Sequence, residues 1–106
     1  MSESFERRFG ALDRLYGAGS TTGFAAAHVM IAGIGGVGSW CAEAVARHGV
    51  GKITLIDLDH IAESNINRQL PALGSTIGKA KALAMAERIA DINPQAKVEI
   101  VDDFVS

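Results

Sequence analysis

Apolar residues near the N-terminus recur at the spacing of a helix. Phe5, Phe9, Leu12 and Tyr16 follow one another at intervals of four, three and four residues, which places them on one stripe of a helix over 5–16. The stretch 17–23 is rich in glycine, serine and threonine, and it predicts a break. We therefore expect residues 1–27 to form an N-terminal helical segment.

The remaining chain alternates short apolar runs with longer helical stretches. The apolar run 28–32 predicts a strand buried on both faces of a parallel sheet, and 52–57 and 97–101 predict two further strands. Helices are expected over 39–48 and 78–93, with irregular structure over 58–77. The order β-α-β-α-β predicts an α/β, Rossmann-like parallel sheet with right-handed crossovers.

Composition limits the size and class of this fold. A chain of 106 residues with 48% hydrophobic and 21% charged residues is typical of one soluble domain. Three strands make half of a doubly wound sheet, so we interpret 28–106 as a nucleotide-binding half domain, a fragment of a longer protein. The N-terminus lacks the pattern of a signal peptide, and no apolar run is long enough to span a membrane.

Cysteine content and charge exclude some functions. The lone Cys41 rules out an internal disulfide and a zinc site built from cysteines, and it favours a reducing cytoplasm. We expect both Cys41 and its neighbour Trp40 to be packing residues of the helix around 39–48. The net charge of −2 argues against a large nucleic-acid footprint on this segment.

A glycine-rich turn follows the first predicted strand. Gly33, Gly35 and Gly38 have the spacing G-x-G-x-x-G, and Gly36 adds a fourth glycine. Such a turn brings backbone N–H groups and the positive end of the next helix around one point, which suits a phosphate.

An acidic residue ends the second predicted strand. Asp57 comes 24 residues after Gly33, where an acid typically binds a ribose. Asp59 is interpreted as a turn residue or as a support of Asp57. These features suit ATP and NAD equally.

Cations after the second strand favour a polyphosphate over NAD. Arg68 lies in 64–69, and Lys79 and Lys81 are expected in the first turn of the second helix. A cation there opposes the helix dipole at a cost of about 0.3–1 kcal/mol, which a bound anion offsets. Solvated surface lysines are the alternative interpretation. Arg and Lys clamps are what a leaving pyrophosphate requires, so Arg68, Lys79 and Lys81 are all candidates for this role.

Five ordered motifs resemble the E1-like family of ThiF, MoeB and HesA. They are Gly-x-Gly-Gly-x-Gly at 33–38, Leu-Ile-Asp-Leu-Asp at 55–59, Ser-Asn-x-Asn-Arg-Gln at 64–69, Gly-x-x-Lys at 78–81 and Ile-Asn-Pro at 92–94. Within the family, 14–17, 33–40 and 101–105 are most similar to the branch of tRNA threonylcarbamoyladenosine dehydratases.

The resemblance implies ATP as the nucleotide and adenylation of a carboxylate as the reaction. It implies triphosphate contacts by Asn65 or Asn67 and by Arg68, Gln69 and Lys81, with Arg68 and Lys81 as the catalytic residues. It also implies a homodimer in which Arg14 or Arg8 reaches the neighbouring subunit's phosphates. Mg²⁺ is implied too, bound by an aspartate after a fourth strand, beyond this chain. No residue of 1–106 is therefore assigned to the metal, and we expect this piece alone to be inactive.

The chemistry of the dehydratase branch needs no enzyme nucleophile. A carboxylate of threonylcarbamoyladenosine in tRNA is ionised at neutral pH, and once adenylated it is attacked by an atom of the same group. One alternative keeps the fold and activates the C-terminal glycine of a ubiquitin-like sulfur carrier, with a sulfur-transfer protein as partner. The others are an NAD-dependent oxidoreductase and a non-catalytic nucleotide-binding module.

Overall fold

A computed structural model describes residues 2–103, and its N-terminal part is helical as predicted. The helices are α1 (Glu3–Phe9), α2 (Leu12–Tyr16) and α3 (Ser20–Ala26). The single helix expected over 5–16 is wrong, because the chain turns at Gly10 between α1 and α2. The break expected over 17–23 also contains the start of α3.

The sheet has the predicted topology. Within residues 2–103 it consists of β1 (His28–Ala32), β2 (Lys52–Ile56) and β3 (Lys97–Val101), which are parallel and in the order β1-β2-β3. Central residues pair in register, with Ile31 opposite Leu55 and Leu55 opposite Ile100. The α/β prediction of a Rossmann-like parallel sheet is confirmed.

Both crossover helices pack on the same face of this sheet. They are α4 (Gly36–Arg47) and α5 (Lys81–Ile92), and a 3₁₀ turn at Glu63–Asn65 lies in the loop between β2 and α5. Apolar side chains of the three elements form one buried cluster: Ile31, Ile53 and Leu55 from the sheet, Ala42 and Ala46 from α4, and Ala82, Met85 and Ile89 from α5. Because β2 lies between two neighbours, its middle residues are fully buried.

The other face of the sheet is open at β1. Burial alternates along this strand, with Ile31 at 6% exposure and Met30 at 61%. The prediction that β1 is buried on both faces is therefore wrong for residues 2–103. The physical reason is that right-handed crossovers in the order β1-β2-β3 place both helices on one side.

Two further sequence predictions concern the extent of the fold. Among residues 2–103 no helix is long and apolar enough to cross a membrane. The end of the predicted half domain, 104–106, lies outside the described residues, as does the part of the 101–105 motif that falls there.

Candidate nucleotide-binding site

The glycine turn joins the end of β1 directly to the start of α4. Gly33 has a φ of 92°, which favours glycine, and its N–H donates to the Ile56 carbonyl at 2.8 Å. Gly35 caps α4, and no side chain of the described residues bonds to the helix N-terminus there. The first N–H groups of α4 are therefore available to an anion, at the positive end of the helix.

Two glycines of the turn allow close approach of neighbouring chain segments. A Cβ atom on Gly38 would overlap the carbonyl oxygen of Gly33, so any other residue would push α4 away from β1. A Cβ on Gly36 would lie 3.8 Å from the side-chain carbons of Arg68. The loop that carries Arg68 therefore passes directly over the turn.

Asp57 fastens the turn to the end of β2. Its carboxylate is 8% exposed, and Oδ2 accepts the backbone N–H of Ile34 at 2.6 Å. Oδ1 accepts the N–H of Asp59 at 2.7 Å. Both oxygens are thus engaged inside the protein, whereas Asp59 is exposed.

The two asparagines of the predicted triphosphate motif lie in different environments. Asn65 is 8% exposed, and its Oδ1 accepts the N–H of Ala62 at 2.8 Å, which closes the 3₁₀ turn. Asn67 is exposed, and its Oδ1 accepts a bond from Arg68 Nη1 at 3.0 Å. Asn65 therefore shapes the loop, while Asn67 orients the neighbouring guanidinium.

Arg68 is an exposed cation held above the glycine turn. Its Nη1 also donates to the Ser64 carbonyl at 3.1 Å, and no carboxylate of residues 2–103 pairs with it. Its backbone carbonyl accepts the indole N–H of Trp40 at 3.1 Å. The loop is therefore tied to α4 at the position where the guanidinium projects.

The structure corrects the expectation that Trp40 and Cys41 are packing residues. Trp40 is 55% exposed, and the Cys41 thiol is exposed as well. Both lie on the solvent side of α4, because the buried side of this helix is formed by Ser39, Ala42 and Ala46. Sequence reasoning also missed Ser39, whose hydroxyl accepts the N–H of Leu70 at 3.1 Å and so fastens the same loop.

Lys81 is a largely buried side chain at the same edge of the sheet. It is the first residue of α5, is 8% exposed, and its backbone N–H donates to the Asp59 carbonyl at 3.0 Å. Within the described part of the chain, its ammonium group has no hydrogen-bond or ion-pair partner, and Nζ is not among the unpaired side-chain atoms that are fully buried, so it keeps contact with solvent. An unpaired ammonium group at the positive end of α5 is suited to a bound anion.

Lys79 differs from Lys81 although they are close in sequence. It precedes α5 and forms an ion pair with Glu87. The prediction that both lysines lie in the first helical turn is therefore right for Lys81 and wrong for Lys79.

Gln69 adds an unpaired polar atom beside the turn. Its side chain is 7% exposed, and Oε1 has no hydrogen-bond partner among residues 2–103. Its Nε2 lies 4.0 Å from the place where a Cβ on Gly35 would be. A buried amide oxygen without a partner indicates that a ligand or water bonds there.

The two candidate N-terminal arginines are separated by the fold. Arg8 donates through Nη1 to the carbonyls of Asp91 and Ile92, at 2.7 and 2.9 Å, at the C-terminal end of α5. That end lies at the opposite edge of the sheet from the glycine turn. The Arg14 side chain is exposed on α2 and forms no hydrogen bond or ion pair with residues 2–103, so no such bond joins it to the turn.

The arrangement fits a nucleotide polyphosphate better than a metal ion. No group of three or more His, Cys, Asp or Glu side chains within 2–103 is placed to hold a metal. The free helix N-terminus, the unpaired Lys81 and the overlying Arg68 instead converge on the edge where β1 and β2 end. These are the groups that stabilise phosphate oxygens.

The chain is similar in sequence to known proteins. A family model described as the ThiF family matches residues 11–106. The tRNA threonylcarbamoyladenosine dehydratase of Haemophilus influenzae is 53% identical over 104 residues, which cover 98% of this chain. That of Escherichia coli is 54% identical over 106 residues. A molybdopterin-synthase adenylyltransferase of Salmonella typhimurium is 34% identical over 76 residues, or 72% of this chain.

Solved structures give the same result. The crystal structure of the E. coli dehydratase, TcdA, in complex with ATP has a TM-score of 0.96 at 54% identity, over 99% of this chain and 43% of that one. The chain spans 40% of the length of both dehydratase relatives. Since the family model covers nearly the whole sequence, the chain belongs to the ThiF family, as the E1-like motifs predict.

Proposed function

We propose that this chain is the nucleotide-holding part of an ATP-dependent enzyme that cyclises threonylcarbamoyladenosine in tRNA, with release of AMP and pyrophosphate. One observation carries the nucleotide assignment: a buried lysine, Lys81, has no partner within residues 2–103 beside a glycine turn that opens a helix. The identity of 53–54% to two tRNA threonylcarbamoyladenosine dehydratases supports the choice of substrate. The activity is that of the whole protein.

In this proposal the glycine turn receives the phosphates. The backbone at Gly33, Gly35, Gly36 and Gly38 surrounds the chain of phosphates, since no Cβ atom blocks its approach. Arg68 and Lys81 neutralise the pyrophosphate as it departs, and Gln69 contributes its unpaired Oε1 to a ligand donor or bound water.

We assign the ribose to Asp57, at the end of β2. Each of its oxygens accepts one backbone N–H, from Ile34 and from Asp59, and so keeps a second lone pair for a ribose hydroxyl. Asp59 follows at the same edge with an exposed side chain and supports the turn. Asp57 thereby also holds the glycine turn in place.

The reaction requires positioning and charge more than proton transfer. The ionised carboxylate of the threonylcarbamoyl group attacks the α-phosphorus, and pyrophosphate leaves in line with it. An atom of the same group then attacks the activated carbonyl carbon, AMP leaves, and a ring closes with net loss of water. Arg68 and Lys81 act in the first step, in which negative charge builds up on the leaving group.

The proposal also includes a metal ion, a second subunit and a cellular compartment. Mg²⁺ accompanies ATP, and the family resemblance assigns its protein ligand to an aspartate outside residues 2–103. A second copy of the chain supplies Arg14, which is exposed, whereas Arg8 is occupied at α5. The cytoplasm is the inferred compartment, consistent with an exposed free thiol at Cys41.

The alternatives have less support. Adenylation of a sulfur carrier, with a sulfur-transfer protein as partner, rests on relatives of 34% identity, well below that of the dehydratases. An NAD-dependent oxidoreductase leaves the unpaired Lys81 unexplained, and the similar E. coli structure was solved with ATP.

The proposal is tested by Arg68→Ala in the full-length protein. We expect ATP–pyrophosphate exchange to be abolished while the fold is largely spared, because the side chain is exposed and pairs with no carboxylate of 2–103. Arg7→Ala is the matched control, since Arg7 is an exposed arginine at the surface of α1. Exchange that survives in Arg68→Ala at the control's rate would refute the clamp.

A further inference from the structure

A second charged site lies at the edge of the sheet opposite the glycine turn. A cavity of about 570 Å³ is lined by Arg8, Arg47 and Arg88, together with Phe9, Asp91 and Ile92. We call this site the arginine pocket. It lies at the C-terminal ends of α4 and α5, whereas the nucleotide site lies at their N-terminal ends.

A buried carboxylate fixes two of these arginines before any ligand arrives. Glu43, 9% exposed, accepts Arg88 Nε at 2.7 Å on Oε1, and Arg88 Nη2 at 3.0 Å on Oε2. Its Oε2 also accepts Arg47 Nε at 2.9 Å. The bonds from Arg88, and then those from Arg47, lower the pKa of Glu43, so the carboxylate is charged at neutral pH. The guanidinium groups are therefore preorganised.

The third arginine is fixed by the backbone of α5. Arg8 donates through Nη1 to the carbonyls of Asp91 and Ile92, which form the negative end of the helix. The described residues offer no other partner to its remaining nitrogens, nor to either Nη of Arg47. Several N–H donors are thus left over for an acceptor from outside.

The charge of the arginine pocket selects the kind of anion. The guanidinium groups of Arg8, Arg47 and Arg88 exceed the carboxylates of Glu43 and Asp91 by one charge. A phosphodiester carries one negative charge, and its two oxygens match the forked donors of arginine. A triphosphate carries several charges that this balance would leave uncompensated, so the arginine pocket does not suit a second ATP.

We propose that the arginine pocket binds a backbone phosphate of the RNA substrate. This inference rests on the proposed function, in which the substrate is a tRNA. A local contact of this kind is compatible with a net charge of −2, because it needs neither a basic face nor a large footprint. It positions the RNA without reading its sequence, at a distance from the site of adenylation.

The test measures tRNA affinity of the full-length protein as a function of salt concentration. Each phosphate contact contributes about one unit to the slope of log Kd against log salt. Arg47→Gln removes a side chain that is 59% exposed, so the fold should survive. We expect this variant to bind tRNA about 5-fold more weakly at low salt, with a slope smaller by about one. The double variant Arg8→Gln/Arg47→Gln should weaken tRNA binding further with the same slope as Arg47→Gln, because only one phosphate is contacted, while the affinity for ATP stays unchanged.

Arg7→Gln is the matched control. Arg7 neighbours Arg8 on α1 but does not line the arginine pocket, and its contact with Glu3 is exposed at 3.9 Å. Its slope should equal that of the wild type. If the ligand is a polynucleotide, free inorganic phosphate should weaken tRNA binding only as much as its ionic strength predicts. Saturable binding of free phosphate at micromolar concentration would overturn the proposal of an RNA ligand.

Failure of the proposed function and failure of the arginine-pocket proposal give different results. A wild-type protein that binds ATP but no tRNA would overturn the proposed function and this inference together. Binding of tRNA with the same salt slope in wild type, Arg7→Gln and Arg47→Gln would overturn the arginine pocket alone.

Discussion

Positively charged side chains are paired differently at the two ends of α4 and α5. At the arginine pocket, Arg47 and Arg88 share the Glu43 carboxylate, and Arg8 is bonded to helix carbonyls. At the glycine turn, Lys81 is more deeply buried than these arginines yet has no counter-ion within residues 2–103. One edge therefore pairs most of its charge internally, and the other does not.

This difference separates two uses of a cation. Arginines ordered by a carboxylate join α4 to α5 and leave a small surplus of charge, enough for one phosphate. An unpaired lysine beside free helix N–H groups leaves positive charge that a bound polyanion compensates, so binding stabilises the protein. We infer that the unpaired charge at the glycine turn is kept for nucleotide binding.

Gly38→Ala, at the glycine turn, should cause the largest loss of stability. The new Cβ would overlap the Gly33 carbonyl, so α4 has to move away from β1. We expect a loss of about 3 kcal/mol or more in the free energy of unfolding, measured by urea denaturation. Gly23→Ala in α3 is the control, since nothing lies within 4 Å of its added Cβ. It should gain about 0.5–1 kcal/mol, and equal midpoints in the two variants would contradict the steric account.

Lys81→Met should separate binding from stability. It removes the unpaired charge and keeps the apolar stem, so ATP–pyrophosphate exchange in the full-length protein should fall by about 100-fold, or about 2.7 kcal/mol. Without nucleotide, its Tm should stay close to that of the wild type, because the ammonium group pairs with no carboxylate of residues 2–103. Lys79→Met loses only an exposed pair with Glu87 and should change exchange by less than about 3-fold. A lower Tm with unchanged exchange in Lys81→Met would show that Lys81 stabilises the fold and does not bind the nucleotide.

Glu43→Gln, which removes the carboxylate that orders Arg47 and Arg88, should give the smallest effect on stability. Because the bonds from Arg88 and Arg47 lower the pKa of Glu43 below its ordinary 4.5, this carboxylate stabilises the fold above pH 4.5. The stabilisation is lost as the pH falls through the lowered pKa of the folded state. We expect Glu43→Gln to lose about 2 kcal/mol at pH 7 and progressively less as the solution is acidified below 4.5.

The matched control is Glu87→Gln, whose pair with Lys79 is 57% exposed on the glutamate side. Such a pair contributes about 0–1 kcal/mol. Equal losses in both variants, measured by denaturant titration across pH, would show that burial of Glu43 does not matter.

Local patterns predicted the parts of the fold that depend on neighbours in sequence. The bounds of β1 and β3 agree with the apolar runs, and the glycine spacing places the turn where α4 begins. The need for glycine at position 38 also depends on neighbours in sequence, because a helix that starts directly after a strand needs a residue without Cβ at that contact.

Tertiary contacts decided what the sequence could not. The buried state of Lys81 and the ion pair of Lys79 depend on how α5 packs, since two lysines of similar local pattern met different neighbours. The sequence pattern assigns Asp57 to the ribose, but only the fold shows that its oxygens also accept the N–H groups of Ile34 and Asp59. Likewise, the exposure of Cys41 depends on which face of α4 the sheet covers.

The most direct measurement is calorimetric binding of ATP and AMP to the full-length protein in the presence of Mg²⁺. If Lys81 and Arg68 exist for the polyphosphate, ATP should bind at least about 10-fold more tightly than AMP, or about 1.4 kcal/mol. That preference should largely disappear in Lys81→Met. Equal affinity for ATP and AMP in the wild type, or an unchanged preference in the variant, would contradict a polyphosphate site at the glycine turn.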